Sequence, residues 1–241
     1  MGRPYRGNHP FHSIVEGVTR KLEPKRAEKT DFTEPHSERV SEVMEAMAEA
    51  MATESSKKLL KKRSDVLELG YLKERHGPLV EELRPYQVEL AGVVGIAHDV
   101  GKRMITEKFG HAIWEKKNLS KKEWGIIHKH PRESRIFIEK IPGRFSKLVA
   151  GIVLHHHAHF AGGGYPGHIK RERIPMLARM LAVADALDSM IYPRPYREKM
   201  TLADALKELK RNKGTQFDPD VVDLLAKMVR KKNLALRTYV Q

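Results

Sequence analysis

No cysteine occurs in the 241 residues, so disulfides and thiolate metal sites are excluded. The same absence fits a cytoplasmic address. No apolar run approaches the roughly 20 residues that span a bilayer. The longest, Leu90–Ala97, is far shorter, and no membrane contact is expected. The first thirty residues are basic and hold Gly, Pro and His, but no apolar segment of the kind a secretory signal needs. Period-2 alternation is almost missing after that, which argues against sheets, and no internal repeat is visible.

The charge balance is one-sided, with 45 Lys+Arg against 31 Asp+Glu, for a net +14. Such an excess favours anionic partners such as nucleotides, nucleic acid or phosphates. A solvated, lysine-rich surface gives the same balance, so charge alone sets a preference and not a function. At 40% hydrophobic and 32% charged the chain has an ordinary globular composition and length enough for one sizeable core.

Residues 1–30 read as a basic, weakly structured arm, and 31–241 as one all-α domain, a helical bundle of seven or eight helices with a charged helical insertion. Thr33 opens the first helix, with Pro35 in its first turn, and its apolar face runs Val40, Val43, Met44, Met47, Met51. The insertion, about Ser55–Tyr86, contains the run Lys57, Lys58, Lys61, Lys62, Arg63. A buried helix then ends at Ala97-His98-Asp99-Val100-Gly101-Lys102. Ser120 and Glu123 form a capping box for a helix expected to run to His130-Pro131. Lys147–His157 reads as one amphipathic helix, followed by the turn Gly162-Gly163-Gly164-Tyr165-Pro166. Pro175 begins a helix to about Ile191, Thr201 and Asp204 cap the next, which Gly214 ends, and Asp218-Pro219 starts the last.

Titratable groups on faces that should be buried carry the functional signal. His36 extends the stripe of Val40 and Val43, and His98 lies on the face of Leu90 and Val94. His130 is one turn past Ile126, His156 sits with Val149, Ile152 and Val153, and Asp185 continues Leu177, Leu181 and Ala184. A buried carboxylate needs a cation or a hydrogen-bond network, and no Lys or Arg lies within a turn of Asp185 on that face. A single core histidine is ordinarily satisfied by a hydrogen bond. Five inward His or Asp positions, with the pairs His98-Asp99 and His156-His157, point instead to divalent metal. His128 and His155 fall off the common stripe and read as supports at most, and His9, His12, His76, His111, His159 and His168 as surface or loop.

These strings resemble the HD-GYP family, a subgroup of the HD phosphohydrolases, over about His36–Leu225. They comprise His98-Asp99-Val100-Gly101-Lys102, His130-Pro131, His156-His157 with Gly164-Tyr165-Pro166, and Ile174-Pro175. Ala182-Val183-Ala184-Asp185, Arg194-Pro195-Tyr196-Arg197 and Gly214-Thr215-Gln216-Phe217-Asp218-Pro219 follow in order. The resemblance implies metal ligands His36, His98, Asp99, His130, His156, His157 and Asp185, with Asp99 bridging two divalent ions, usually iron or manganese. It also implies that Lys102 contacts the substrate phosphate, and that Gly164, Tyr165, Pro166, Arg194 and Arg197 hold a cyclic dinucleotide. The implied reaction is hydrolysis of cyclic di-GMP to pGpG or GMP by a hydroxide shared between the metals, whose charge lowers the pKa of water.

Three departures qualify this expectation. Some members hold a third metal through a glutamate one turn before the first histidine; Phe32 stands there, so two metals are expected. Ala158 and Ala161 replace acids that usually follow the double histidine, and the segment between His36 and His98 is lengthened by the insertion. Two other functions fit the altered surroundings and the charge: an HD phosphohydrolase acting on other nucleotides or RNA, and a non-catalytic nucleotide-sensing adaptor. The insertion could serve as a lid, a nucleic-acid or protein contact, or a homodimer face.

Overall fold

The computed structural model describes residues 9–23, 33–52, 79, 82–114, 116, 118–192 and 199–231. Phe32, Arg194, Arg197 and nearly all of the charged insertion lie outside them. The all-α expectation is borne out: ten α-helices and one two-stranded hairpin appear among the described residues. They are α1 (His12–Leu22), α2 (Thr33–Ala52), α3 (Gln87–Ala97), α4 (Val100–Phe109) and α5 (Lys121–Ile127). After these come α6 (His130–Glu139), α7 (Ser146–Val153), β1 (His157–Ala158) and β2 (Gly164–Tyr165). The last three helices are α8 (Met176–Ile191), α9 (Leu202–Arg211) and α10 (Pro219–Arg230). No helix among the described residues is long and apolar enough to cross a membrane.

The core forms because α3 and α8 are apolar nearly all round and so must be enclosed. Helix α2 lies along both, with Val40, Val43, Met44 and Met47 fully buried against them. Helices α4, α6 and α7 cover one flank, and α9 and α10 the other. Gly101 explains how closely α4 meets α6: a Cβ there would stand 2.1 Å from the His130 carbonyl oxygen. Ser134 Oγ fastens the same junction, accepting from Gly101 N at 2.8 Å and donating to the His98 carbonyl at 2.7 Å.

Three expected boundaries move. The basic arm includes an ordered helix: α1 buries Ile14, Val18 and Leu22 and packs on α3 and α4. The helix opened by the Ser120 capping box stops at Ile127, and His130 begins a new one. Helix α7 ends at Val153, so His157 falls on a strand. The expected caps at Thr201 and Asp218 are present, accepting from Asp204 N at 3.1 Å and Asp220 N at 2.8 Å. Asp218 also receives a buried ion pair from Arg179, whose Nε donates to the Ile174 carbonyl at 2.9 Å.

Candidate metal centre

Helix ends and turns deliver most of the site. His36 comes from the first turns of α2, and His98 and Asp99 from the break between α3 and α4. His130 starts α6, His156 lies in the turn after α7, His157 on β1, and Asp185 in the middle of α8. Adjacent residues on a helix point about 100° apart. The early end of α7 lets both His156 and His157 face one centre.

Three imidazoles are aimed in the same way. His98, His130 and His156 direct Nδ1 at the carbonyl three residues earlier, on Gly95 (2.7 Å), Ile127 (2.8 Å) and Val153 (2.7 Å). A carbonyl only accepts, so each Nδ1 carries the proton and each Nε2 presents a lone pair inward.

Those inward atoms gather around Asp99. His98 Nε2 lies 3.2 Å and His36 Nε2 3.6 Å from Asp99 Oδ2, and His130 Nε2 is 3.4 Å from Oδ1. His36 Nε2 is also 3.1 Å from Asp185 Oδ1. On the other side His130 Nε2 stands 3.2 Å from His156 Nε2 and 3.1 Å from His157 Nε2. The result is two trios of potential ligands, His36–His98–Asp99 and His130–His156–His157, joined through Asp99.

The donors fit divalent cations. His36 Nε2, His98 Nε2 and Asp99 Oδ1 are buried, and none is aligned in a hydrogen bond. Buried polar atoms ordinarily find partners. The lone pairs of His130 and His156 face one another, an arrangement that a cation between them would turn from repulsive to attractive. Burial pushes His130 down to about 3, with Lys102 and His156 adding to the effect, and His156 down to about 4. His157 is held well below the ordinary histidine range, by burial first and by its two neighbours next. These imidazoles are therefore neutral near pH 7, as ligands must be.

Asp99 and Asp185 remain anionic. Burial by itself would raise them, but His98 and Lys102 around Asp99, and His36 beside Asp185, hold both well below the carboxylate range. His36 behaves differently from the other histidines: burial lowers it, yet Asp185, Asp188 and Asp99 outweigh that and raise it to about 10. A cation held in this half of the site would compete with the proton on His36.

Asp188 was not among the residues singled out from sequence. It is buried, accepts from His36 Nδ1 at 2.6 Å, and takes a fork from Arg39 at 2.7 and 2.9 Å. Arg39 in turn lies 3.7 Å from the Tyr192 ring centroid. A second carboxylate one turn after Asp185 on the same helix was the available signal. His36 is thus aimed by a carboxylate where His98, His130 and His156 use carbonyls. Asp188→Asn is expected to weaken metal binding about 10- to 100-fold with the helical circular dichroism unchanged, as outer partners of metal-bound histidines commonly do. Metal titration checks it.

The remaining candidates fall around this centre. Lys102 is ion-paired with Asp99. Tyr165 stacks on His128 at 4.1 Å between ring centroids and lies 4.7 Å from the His157 ring. Burial and the nearby Asp185 and Asp99 push its hydroxyl above the ordinary tyrosine range. Gly164 pairs with Ala158 at φ +67°, and a Cβ there would meet the His157 carbonyl at 2.1 Å; no other residue fits. Pro166 follows through a cis bond. His155, read as a support at most, is fully buried, its ring 5.4 Å from that of His168. Two cavities open at the centre and share His157, Asp185 and Ser189. One, about 260 Å³, is lined by Lys102, Trp114, Lys116, Trp124 and Tyr165. The other, about 300 Å³, is lined by His159, Glu208, Asn212 and Gln216.

A helical fold that gathers histidines and aspartates from helix ends, a hairpin and the middle of α8 around one carboxylate is of the metal-binding helical class. Residues 79–221, more than half of the chain, match the model of the HD domain family, and the chain belongs to that family. The HD-GYP resemblance is borne out by the relatives. The chain is 35% identical over 156 residues to the cyclic di-GMP phosphodiesterase response regulator RpfG of Xanthomonas campestris pv. campestris, covering 65% of this chain and 39% of that protein. It is 29% identical over 154 residues to a cyclic di-GMP phosphodiesterase of Thermotoga maritima, 63% of this chain and 41% of that one. A 3'3'-cGAMP-specific phosphodiesterase of Vibrio cholerae is 29% identical over 162 residues, 62% and 30%. The chain spans well under half the length of these relatives.

Proposed function

We propose that this chain is a metal-dependent phosphodiesterase that hydrolyses a cyclic dinucleotide, cyclic di-GMP to pGpG or GMP. One observation carries the reading: two trios of inward-facing ligand atoms meet on Asp99, beside a lysine and between two open cavities. The activities named for the relatives support the substrate class.

In this reading the cofactor is a pair of divalent cations, iron or manganese. His36, His98, Asp99 and Asp185 would hold one, and Asp99, His130, His156 and His157 the other. Such cations supply Lewis acidity toward phosphate oxygens and lower the pKa of water. The chain's own groups do the rest. Asp99 and Asp185 fix the negative field that would retain the cations, and Asp188 and the carbonyls behind His98, His130 and His156 keep those imidazoles and His36 aimed. Lys102 adds positive charge where a phosphodiester gains negative charge in its transition state. Gly164 brings backbone close to the bound diester, and Tyr165 offers a ring and a hydroxyl beside it. Pro166 fixes the turn, and Arg194 and Arg197 are assigned to the dinucleotide on the motif alone. A cytoplasmic site of action fits the cysteine-free chain.

The test is chelation. Chain loaded with iron or manganese is expected to cleave both bis(p-nitrophenyl) phosphate and cyclic di-GMP, to lose both activities on exhaustive EDTA treatment, and to regain them on metal addition. Metal removal should also lower Tm, because the ions bind only the folded chain. Cleavage that survives complete metal removal would contradict the reading.

A further inference from the structure

We propose that the 260 Å³ cavity is the seat of one nucleobase, and that Trp124 is the stacking platform that closes it. The inference rests on the dinucleotide reading above and deepens it, by assigning a residue that selects substrates with a base.

Trp124 stands on α5, a helix that buries none of its residues. The capping box of Ser120 and Glu123 holds that helix, with Lys116 Nζ bound to Glu123 Oε1 at 2.5 Å. Core packing therefore does not require a tryptophan there. Yet Trp124 keeps 48% of its surface in solvent, one of two large exposed hydrophobics among the described residues. Exposing an indole costs apolar hydration, which a stacked base removes.

The position is directional. From Trp124 the rings run inward to His128 (centroids 5.4 Å apart) and on to Tyr165 (4.1 Å, nearly parallel), which borders His157. Trp114 faces the same cavity, its indole nitrogen donating to Thr106 Oγ1 at 2.8 Å, so that ring is fixed before any ligand arrives. Lys102 and Lys116 supply positive charge on the lining. An aromatic wall for a flat ring, with lysines for phosphate and the metal-binding histidines at the inner end, matches a nucleotide that enters base outward and phosphate inward. A volume of about 260 Å³ lies just below the roughly 300–1,000 Å³ of small-molecule sites, room for one nucleotide unit and not two.

The two tryptophans of the chain both line this cavity, which makes the test direct. In metal-loaded protein, Trp124→Ala is expected to raise KM for cyclic di-GMP about 10-fold, within the range for losing one base–aromatic stack. The loss in kcat/KM should exceed that on bis(p-nitrophenyl) phosphate, which has no base, by about the same factor, and Trp124→Phe should recover most of it. Equal losses on both substrates, or none on either, overturn the proposal. In a Trp114→Phe chain, where Trp124 is the sole indole, cyclic di-GMP should quench the emission. If the parent protein cleaves neither substrate, the proposed function fails, and the quenching experiment still decides the seat: quenching upholds it and unchanged emission overturns it.

Discussion

Asp99→Ala is expected to lower kcat/KM for both bis(p-nitrophenyl) phosphate and cyclic di-GMP by about 10³-fold or more. The helical circular dichroism should persist. Asp99 is the one residue whose two oxygens face different halves of the centre, His36 and His98 on one side and His130 on the other. Losing it removes a ligand from each half and the negative charge that would offset the bound cations. Removing a single electrostatic catalytic group typically costs 10²–10³, and here the cations themselves are lost as well. Fold and site separate cleanly in this prediction, because Asp99 sits at a helix break and contributes no apolar packing. The assay pairs initial rates on both substrates with circular dichroism. Near-wild-type rates would show that Asp99 is structural.

The second large effect concerns stability. Asp218→Ala leaves Arg179 buried without its carboxylate and removes the cap of α10. Breaking a buried ion pair from one side costs about 3–5 kcal/mol. For a chain of this size each kcal/mol moves Tm by roughly 2–4 °C, so a fall of roughly 6–20 °C is expected. Asp218→Asn caps a helix as well as Asp does, and so isolates the charge. It should lie between the parent and Asp218→Ala. If Asn and Asp proved equal in a thermal melt, the pair would contribute nothing and the cap would account for the whole effect.

Much of this architecture was legible along the chain, because helical stripes report burial directly. A histidine or aspartate that continues such a stripe is buried whatever the fold, and His36, His98, His130, His156 and Asp185 are brought together in the structure. The caps at Ser120, Thr201 and Asp218 were legible for a related reason: they satisfy backbone groups a few residues away. The misplaced features depend on partners far off in sequence. Helix α1 shows a short apolar stripe among basic residues, and only α3 and α4 make it worth ordering. Asp188 takes its role from His36 and Arg39, 152 and 149 positions away. His157 leaves its expected helix to pair with Tyr165 across the hairpin, a contact that no periodicity encodes. Trp124 sits on a short helix with no buried face, so it interrupts no pattern.

The central claim is that two divalent cations occupy the ligand trios that meet on Asp99. Elemental analysis of the purified chain, after loading with iron or manganese and removal of free metal, tests this most directly. Two equivalents per chain are predicted for the parent protein, falling below one in Asp99→Ala. A parent protein that retains no metal, or the same amount as Asp99→Ala, would contradict it.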